Sequence, residues 1–282
     1  MGKRSYRNYW VVPAFLIPSL ITSSTLGPGQ AGNLTIDTRR LIVGNGGRVD
    51  ASTAASGTAG SVTINASEQV RVSGTVPGSR NPTLIISSAN AIDPALAAVI
   101  GINLPLVGNS GDVTINTPKL EVTEGAKVSV SNDGTGRAGN LSVNANTIAL
   151  SDRGSITAAS VLGGGGNIFL QARDALQLRQ QAQISASAGE LGDGGNIAIE
   201  AGTVTGFDRS QISANAFQGN GGNIQIDTQG LFFTPNSTIS ASSELGVSGI
   251  VAVSNLDLTS KMYLYRHRLI LLKLMRLFPI VA

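Results

Sequence analysis

The sequence predicts an all-β protein: a right-handed parallel β-helix, or solenoid, of about eight coils with three short strands each. An eight-residue motif returns eight times along the chain of 282 residues, and 35 of those residues are glycine. Aromatic residues make up only 4% of the chain and charged residues 13%. This composition favours turns and thin strands over helices. No segment keeps the 3.6-residue period of an amphipathic helix.

The motif first occurs as "AGNLTIDT" at residues 31–38 and is degenerate in its last copy, "SGIVAVSN", at 248–255. Its corner glycine recurs every 27–29 residues, with a single step of 51 residues. A regular period of this length is typical of stacked structural repeats. Because neighbouring strands lie about 4.8 Å apart, eight coils predict a rod roughly 35–40 Å long.

Each repeat contains three short apolar alternations separated by turn residues. In the fourth repeat they occupy 141–143, 148–150 and 156–158, and period-2 runs of this kind indicate strands. Stacking predicts a first-strand aliphatic row of Leu34, Val62, Val113, Leu141, Ile168, Ile197 and Ile224. It predicts a third-strand row of Val49, Val128, Ile156, Ile184, Ile212 and Ile239. Two positions later comes a small-residue column of Ala51, Ala158, Ala186, Ala214 and Ala241.

The corner between coils is predicted to be structural. Its polar row consists of Asn33, Asn140, Asn167, Asn196 and Asn223, with Ser61 and Asp112 as variants. Stacked asparagine side chains can hydrogen-bond along the rod, and asparagine tolerates turn conformations. The "GGGG" run at 163–166 lacks the Gly-Lys-Ser/Thr ending of a phosphate loop, so it is interpreted as one more corner.

The positive charge of the chain is confined to its ends. The pI is about 9.4, but eight of the 20 Lys and Arg residues lie in 1–20 and 259–282. The remaining residues contain 12 Lys and Arg and 17 Asp and Glu, which gives the body of the chain a net charge of −5. A body without a basic stripe predicts no nucleic-acid partner. The absence of cysteine excludes disulfides and thiolate metal sites.

No catalytic residue, cofactor or metal site is predicted. The single histidine, His267, lies outside the repeats, which argues against a Ser-His-Asp triad and against zinc. Asp133 and Asp193 are the nearest candidates for calcium, but the nonapeptide period of calcium-binding repeats is missing. Glu124 and Asp152 are the one candidate pair of catalytic carboxylates. They are expected on the same edge of the solenoid, about 5 Å apart, and that separation suits a retaining glycosidase.

The twelfth residue after each corner residue is predicted to lie on the same edge, which adds Asn45, Arg179 and Asp208 to the row. With Arg179 between Asp152 and Asp208, the row is interpreted as a charge-balanced, solvent-exposed turn. Polysaccharide hydrolysis by Glu124 and Asp152 remains the alternative to a passive surface.

The repeat region is predicted over 21–258 with an insertion at about 77–108. The insertion accounts for the step of 51 residues and is either an irregular coil with an excursion or a protruding loop. Loops on a rigid solenoid commonly carry recognition, so the insertion is the first candidate for a binding surface.

The repeats "GNLTIDTRRLIVGNGGRVDAST" and "GGNIAIEAGTVTGFDRSQISANA" resemble those of the filamentous-haemagglutinin-like exoproteins of bacterial two-partner secretion. The resemblance covers about 21–258. It implies a β-helical passenger that leaves the cell through an outer-membrane β-barrel transporter and acts as an adhesin or structural filament. It departs from the family in one respect: the only Asn-Pro, Asn81-Pro82, lies in the insertion and not in a secretion domain ahead of the repeats.

The two ends leave alternatives open. Residues 1–20 have a basic start and a short apolar run, which fits either a signal peptide or a miscalled start. Residues 259–282 form a basic apolar tail without acidic residues. The tail fits either a helix on an anionic membrane or a shifted reading frame that replaces a Pro-rich segment.

The sequence therefore predicts a non-catalytic, secreted or cell-surface β-helical passenger fragment with an adhesin-like or structural role. Its predicted partners are the outer-membrane transporter and a glycan or other cell-surface ligand. Edge-to-edge self-association is expected where the last coil is uncapped. The alternatives are a polysaccharide-acting enzyme and a non-functional gene remnant.

Overall fold

A computed structural model shows a parallel β-solenoid of about eight coils and describes residues 19–75, 82–90 and 107–255. The predicted fold class is confirmed, and all regular elements of the described residues are strands. Every pairing between strands is parallel. Over the same residues the structure has no helix long and apolar enough to cross a membrane.

One wall of the solenoid is an eight-stranded sheet, here called the short-strand sheet. Each coil adds one strand to it, in chain order. Its strands are Leu20–Thr22 (β1), Arg48–Asp50 (β3), Leu84–Ala89 (β5), Lys127–Asn132 (β8), Ser155–Ser160 (β10), Gln183–Ser185 (β12), Gln211–Ser213 (β14) and Thr238–Ser240 (β16).

The rest of each coil belongs to a nine-stranded sheet, the long-strand sheet, in which the first two predicted strands of a repeat are joined. Its strands are Leu34–Gly44 (β2), Val62–Ser73 (β4), Val113–Asn116 (β6), Lys119–Thr123 (β7), Leu141–Leu150 (β9), Ile168–Leu178 (β11), Ile197–Gly206 (β13), Ile224–Phe233 (β15) and Val251–Asn255 (β17). Two of these strands have one extra residue relative to their neighbours: β4 between Ala66 and Gln69, and β11 between Ala172 and Ala175. Pro118, which has no N–H to donate, separates β6 from β7.

The predicted aliphatic rows form the core. Leu141 pairs with Ile168 and Ile168 with Ile197, and the row continues in this way from β2 to β17. From Val62 to Ile224 these side chains are buried. The third-strand row is buried from Val49 to Ile212 and its alanine column throughout, whereas Ile239, the last member of the row, is half-buried. Because each coil covers the apolar surface of the next, burial supplies the main stabilisation of the rod.

Two columns of stacked glycines run along the corner. A Cβ atom on any glycine of these columns above the first coil would lie only 1.8–2.3 Å from the carbonyl oxygen of the glycine one coil below. No side chain fits at that distance, because the two backbones are already in contact. The columns are Gly29, Gly57, Gly108, Gly136, Gly163, Gly192, Gly219 and Gly246, and Gly32, Gly60, Gly111, Gly139, Gly166, Gly195, Gly222 and Gly249.

The corner asparagines connect successive coils through the backbone. The Asn196 N–H donates to Oδ1 of Asn167 at 3.0 Å, and Oδ1 of Asn196 accepts the N–H of Asn223 at 2.9 Å. Asp112 does the same for Asn140 at 2.7 Å. A direct side-chain bond occurs between Asn167 Nδ2 and Asn140 Oδ1 at 3.1 Å. The row thus supplies side-chain acceptors for the corner N–H groups, while the corner carbonyls accept from the backbone of the adjacent coil, as Asn196 does from the Ile168 N–H at 2.9 Å.

We expect Asn196→Ala to lower the free energy of unfolding by about 1 kcal/mol, because the Asn223 N–H loses its acceptor. Asn196→Asp keeps an acceptor oxygen, as Asp112 does naturally, and should lose clearly less. Urea unfolding followed by circular dichroism measures both. Equal losses in the two variants would contradict a role for the acceptor.

The structure divides the predicted insertion at 77–108, because its middle part is a regular strand of the solenoid. Leu84–Ala89 is strand β5 of the short-strand sheet, and Ile85 pairs with both Val49 and Val128 in the core row. Both faces of β5 are buried. Gly108 is already back in a glycine column. The parts of the insertion on either side of β5, 77–81 with Asn81 and 91–106, lie outside the described residues. So do residues 1–18 and 256–282, which include the predicted tail at 259–282.

Candidate functional site

A row of amide and carboxylate side chains runs along the outside of the long-strand sheet, one from each of seven successive coils. We call it the polar row: Asp37, Asn65, Asn116, Asn144, Gln171, Glu200 and Asp227. Each member directly follows an inward-facing residue of the core, as Asn65 follows Ile64 and Asn144 follows Val143, so its own side chain is on the outer face. Its members are exposed or half-buried. With one member per coil, the row repeats every 4.7–4.9 Å and spans roughly 29 Å over six coil spacings.

Members of the row fix one another's orientation. Asn65 Nδ2 donates to Asp37 Oδ1 at 2.7 Å, and Asn116 Nδ2 donates to Asn65 Oδ1 at 2.8 Å. Further along, Gln171 Nε2 donates to Glu200 Oε2 at 3.2 Å. Each of these bonds uses one of the two N–H donors of a side-chain amide. On the accepting side it uses one lone pair of a carbonyl or carboxylate oxygen that has further lone pairs. The remaining donors and acceptors face outward from a rigid sheet.

Two open grooves follow the row and share Asn116 and Asn144. One groove of about 530 Å³ runs over the first four coils, along the bend that contains Pro118. The other, of about 380 Å³, runs from Thr114 to Asp227. Their combined lining includes carboxylates but no Lys or Arg. The two grooves meet at Asn116 and Asn144, and together they are here called the trough.

Phe169 is the aromatic residue in the lining of the trough. Its position pairs with Ser142 in the coil before and Ala198 in the coil after. Because both neighbours are short, they do not cover the ring, and Phe169 is 46% exposed. An exposed aromatic ring beside a row of hydrogen-bonding groups offers apolar contact and polar contact side by side.

The predicted carboxylate edge lies elsewhere, in the turns that follow the long strands. Glu124 and Asp152 are in successive turns, both exposed, and both have left-handed backbone, with φ of 57° and 47°. The N–H of Gly125 donates to the carbonyl of Asp152 at 2.7 Å, which links the two turns. Neither carboxylate lines the trough.

Arg179 is not a member of that edge, which corrects the sequence-based row. The register shift between Ala172 and Ala175 adds a residue to its coil, so Gln180 takes the place next to Asp152. The Arg179 guanidinium lies instead over the Phe207 ring, 5.5 Å from the ring centre. In the first coils, Asn45 and Gly74 continue the edge below Glu124. Arg153 and Arg209 lie one position along in the same exposed turns and also have left-handed backbone.

The calcium candidates Asp133 and Asp193 do not belong to a cluster of carboxylates in the portion of the chain that the structure describes. Asp193 Oδ1 accepts the N–H of Asn220 at 2.7 Å, so it acts as a second corner acceptor. The described residues contain no group of three or more His, Asp or Glu side chains that could hold a metal ion. His267 lies outside the described part of the chain.

Sequence reasoning missed the polar row, although its signal is in the repeats. Four positions after each corner residue Asn33, Ser61, Asp112, Asn140, Asn167, Asn196 and Asn223, the chain always has Asp, Asn, Gln or Glu. The corner row is apparent in the sequence because its residue type is nearly constant. The polar row varies between amides and carboxylates, so only their shared hydrogen-bonding character unites its members.

The comparisons with known proteins add no relative. No family model matches the chain, and neither a curated protein nor a solved structure matches it significantly.

Proposed function

We propose that this chain is a non-catalytic β-helical passenger that provides an extended surface for adhesion, or a structural rod, at the outside of the cell. The observation that carries the proposal is the trough, an open channel with one hydrogen-bonding side chain per coil over seven coils. A shallow channel of this length suits contact with an extended ligand at many weak points. A small substrate is usually held in a deeper and more enclosed site.

Export and surface display are part of the proposal. They are supported by the resemblance of the repeats to filamentous-haemagglutinin-like exoproteins, which implies an outer-membrane transporter as partner. Self-association is a further part. The terminal described strands, β1 and β17, have exposed apolar side chains, Leu20 and Ile21 at one end and Val251 and Val253 at the other. Strand edges of this kind pair readily with other chains.

Adhesion is tested by coating beads with the purified full chain and measuring their retention on bacterial and host cells and on immobilised polysaccharides. The expected result is retention well above that of albumin-coated beads, with loss of retention when free chain is added as competitor. Retention no higher than that of the albumin beads on every surface would overturn the adhesive proposal.

We expect the double variant Glu124→Gln/Asp152→Asn to keep full adhesion, because both carboxylates lie outside the trough. Neither the parent chain nor the variant should release reducing sugar from neutral or acidic polysaccharides. A hydrolytic activity in the parent that disappears in the variant would contradict the non-catalytic proposal. It would instead support the retaining pair that the carboxylate spacing suggested.

A further inference from the structure

We infer that the trough binds a linear, uncharged glycan that lies parallel to the axis of the solenoid, with Phe169 as the platform for one sugar ring. The inference rests on the proposed function and adds the site, the ligand class and the direction of binding. It is carried by the spacing of the polar row, the charge of the trough and the surroundings of Phe169.

The spacing of the row distinguishes a glycan from a peptide. Polar groups recur once per coil, every 4.7–4.9 Å, and one sugar of an extended linear glycan is about as long as one coil spacing. Each ring has hydroxyl groups on both of its edges, so successive sugars can reach successive coils even where alternate rings are turned over. In an extended peptide, side chains on one face recur about every 6.6 Å, so a peptide falls out of step within a few coils. The sheet face also has no free backbone groups to offer, because its N–H and C=O groups pair with adjacent coils.

The chemistry of the row matches sugar hydroxyls. A hydroxyl group both donates and accepts a hydrogen bond, and so does an amide side chain. Asn116 and Asn144, which belong to both grooves, are exposed. Asp227 Oδ1 already accepts from Gln225 Nε2 and from the Ser254 hydroxyl, and its second carboxylate oxygen can accept from a sugar hydroxyl; charged acceptors form the stronger bonds.

The charge of the trough excludes acidic ligands. Asp37, Glu200 and Asp227 line it, and no Lys or Arg does. A sulfated or uronic-acid polymer would place its negative charges close to these carboxylates without a cation to offset the repulsion. A nucleic acid is disfavoured for the same reason.

Phe169 provides the apolar contact that hydroxyl bonding alone lacks. Sugar rings have a face made of C–H groups, and such a face packs on an exposed aromatic ring. Because its register neighbours are Ser142 and Ala198, a sugar can lie on the ring while the next sugars of the chain reach the polar row. Removal of a central aromatic anchor is typically the largest single loss in an interface.

The test is affinity gel electrophoresis of the full chain in gels that contain a linear neutral β-glucan or mannan, or polygalacturonate as an acidic polymer. We expect retardation by at least one neutral polymer and none by polygalacturonate. Titration with neutral oligosaccharides of increasing length should show affinity rising until the ligand is as long as the trough. Phe169→Ala should weaken binding about tenfold, and Asn144→Ala should weaken it as well.

Phe232→Ala is the matched control. Phe232 is also an outward-facing aromatic residue of the long-strand sheet, 58% exposed, but it does not line the trough. Its removal should leave glycan binding unchanged. Circular dichroism and thermal unfolding of all three variants separate a loss of binding from a loss of fold.

The outcomes keep this inference distinct from the proposed function. Glycan binding that is equal in the parent, Phe169→Ala and Asn144→Ala overturns the site while adhesion stands. Binding of polygalacturonate alone overturns the ligand class. Bead adhesion to cells without any glycan binding overturns the inference and leaves the proposed function supported. Failure of both assays overturns both.

Discussion

Gly163→Ala is expected to lower the free energy of unfolding by about 3 kcal/mol or more, because overpacking against backbone leaves no soft group to move. The Cβ atom of an alanine at this position would lie 1.9 Å from the carbonyl oxygen of Gly136. Relief requires two coils to separate, and Gly192 in the next coil stacks on Gly163 at an equally close distance. A shift at one level is therefore passed along the column.

Gly164→Ala is the control, one residue away in the same four-glycine run. Its Cβ would have Arg137 Nε, at 3.9 Å, as its nearest neighbour, and its backbone is not left-handed. We expect stability to change by less than about 1 kcal/mol, with a small gain from the stiffer unfolded chain. Urea unfolding of both variants, followed by far-UV circular dichroism, makes the comparison. Similar losses at both positions would contradict the stacked-glycine explanation.

Leu176→Ala is expected to cost about 2–5 kcal/mol, the usual range for a leucine removed from a packed core. Leu176 in β11 is 0% exposed and pairs in register with Ile148 and Val204. The cavity would open in the middle of the rod, where coils on both sides prevent collapse. In a solenoid each coil is held by its neighbours, so a weak central coil also uncouples the two halves.

Gln177→Ala, the next residue of the same strand, points outward and is exposed. It should change stability by no more than about 0.5 kcal/mol. Thermal unfolding by calorimetry is the measurement, because a split into two transitions in Leu176→Ala would reveal the uncoupled halves directly. An unchanged single transition in Leu176→Ala would show that the interior of the rod does not behave as a packed core.

The sequence was sufficient to predict the solenoid, the position of each corner and the aliphatic rows. The reason is that stacking forces equivalent residues of every repeat into the same environment. The period of 27–29 residues then shows directly which side chains meet, as Leu141, Ile168 and Ile197 do. The corner asparagines were found for the same reason, although most of their bonds go to backbone N–H groups and not to one another.

The period alone failed wherever one coil differs from its neighbours. An extra residue at the bend of β11 moved Arg179 out of the row that counting assigned to it. Strand β5 was not predicted within 77–108, because the extra residues on either side of it interrupt the regular count. Gly206 stands at a position where the coil before has Leu178, and the Phe233 ring of the next coil fills the space that its Cβ would occupy.

By itself the sequence determined the fold class, the repeat frame and the exclusion of histidine or thiolate chemistry from the repeats, because these follow from period and composition. Only the tertiary structure decided what the outer surface offers. Three features depend on which residues of adjacent coils lie side by side. They are the trough, the exposure of the Phe169 ring, and the position of Glu124 and Asp152 outside the trough. That juxtaposition is set by bends and register shifts of single residues, which leave the average period unchanged.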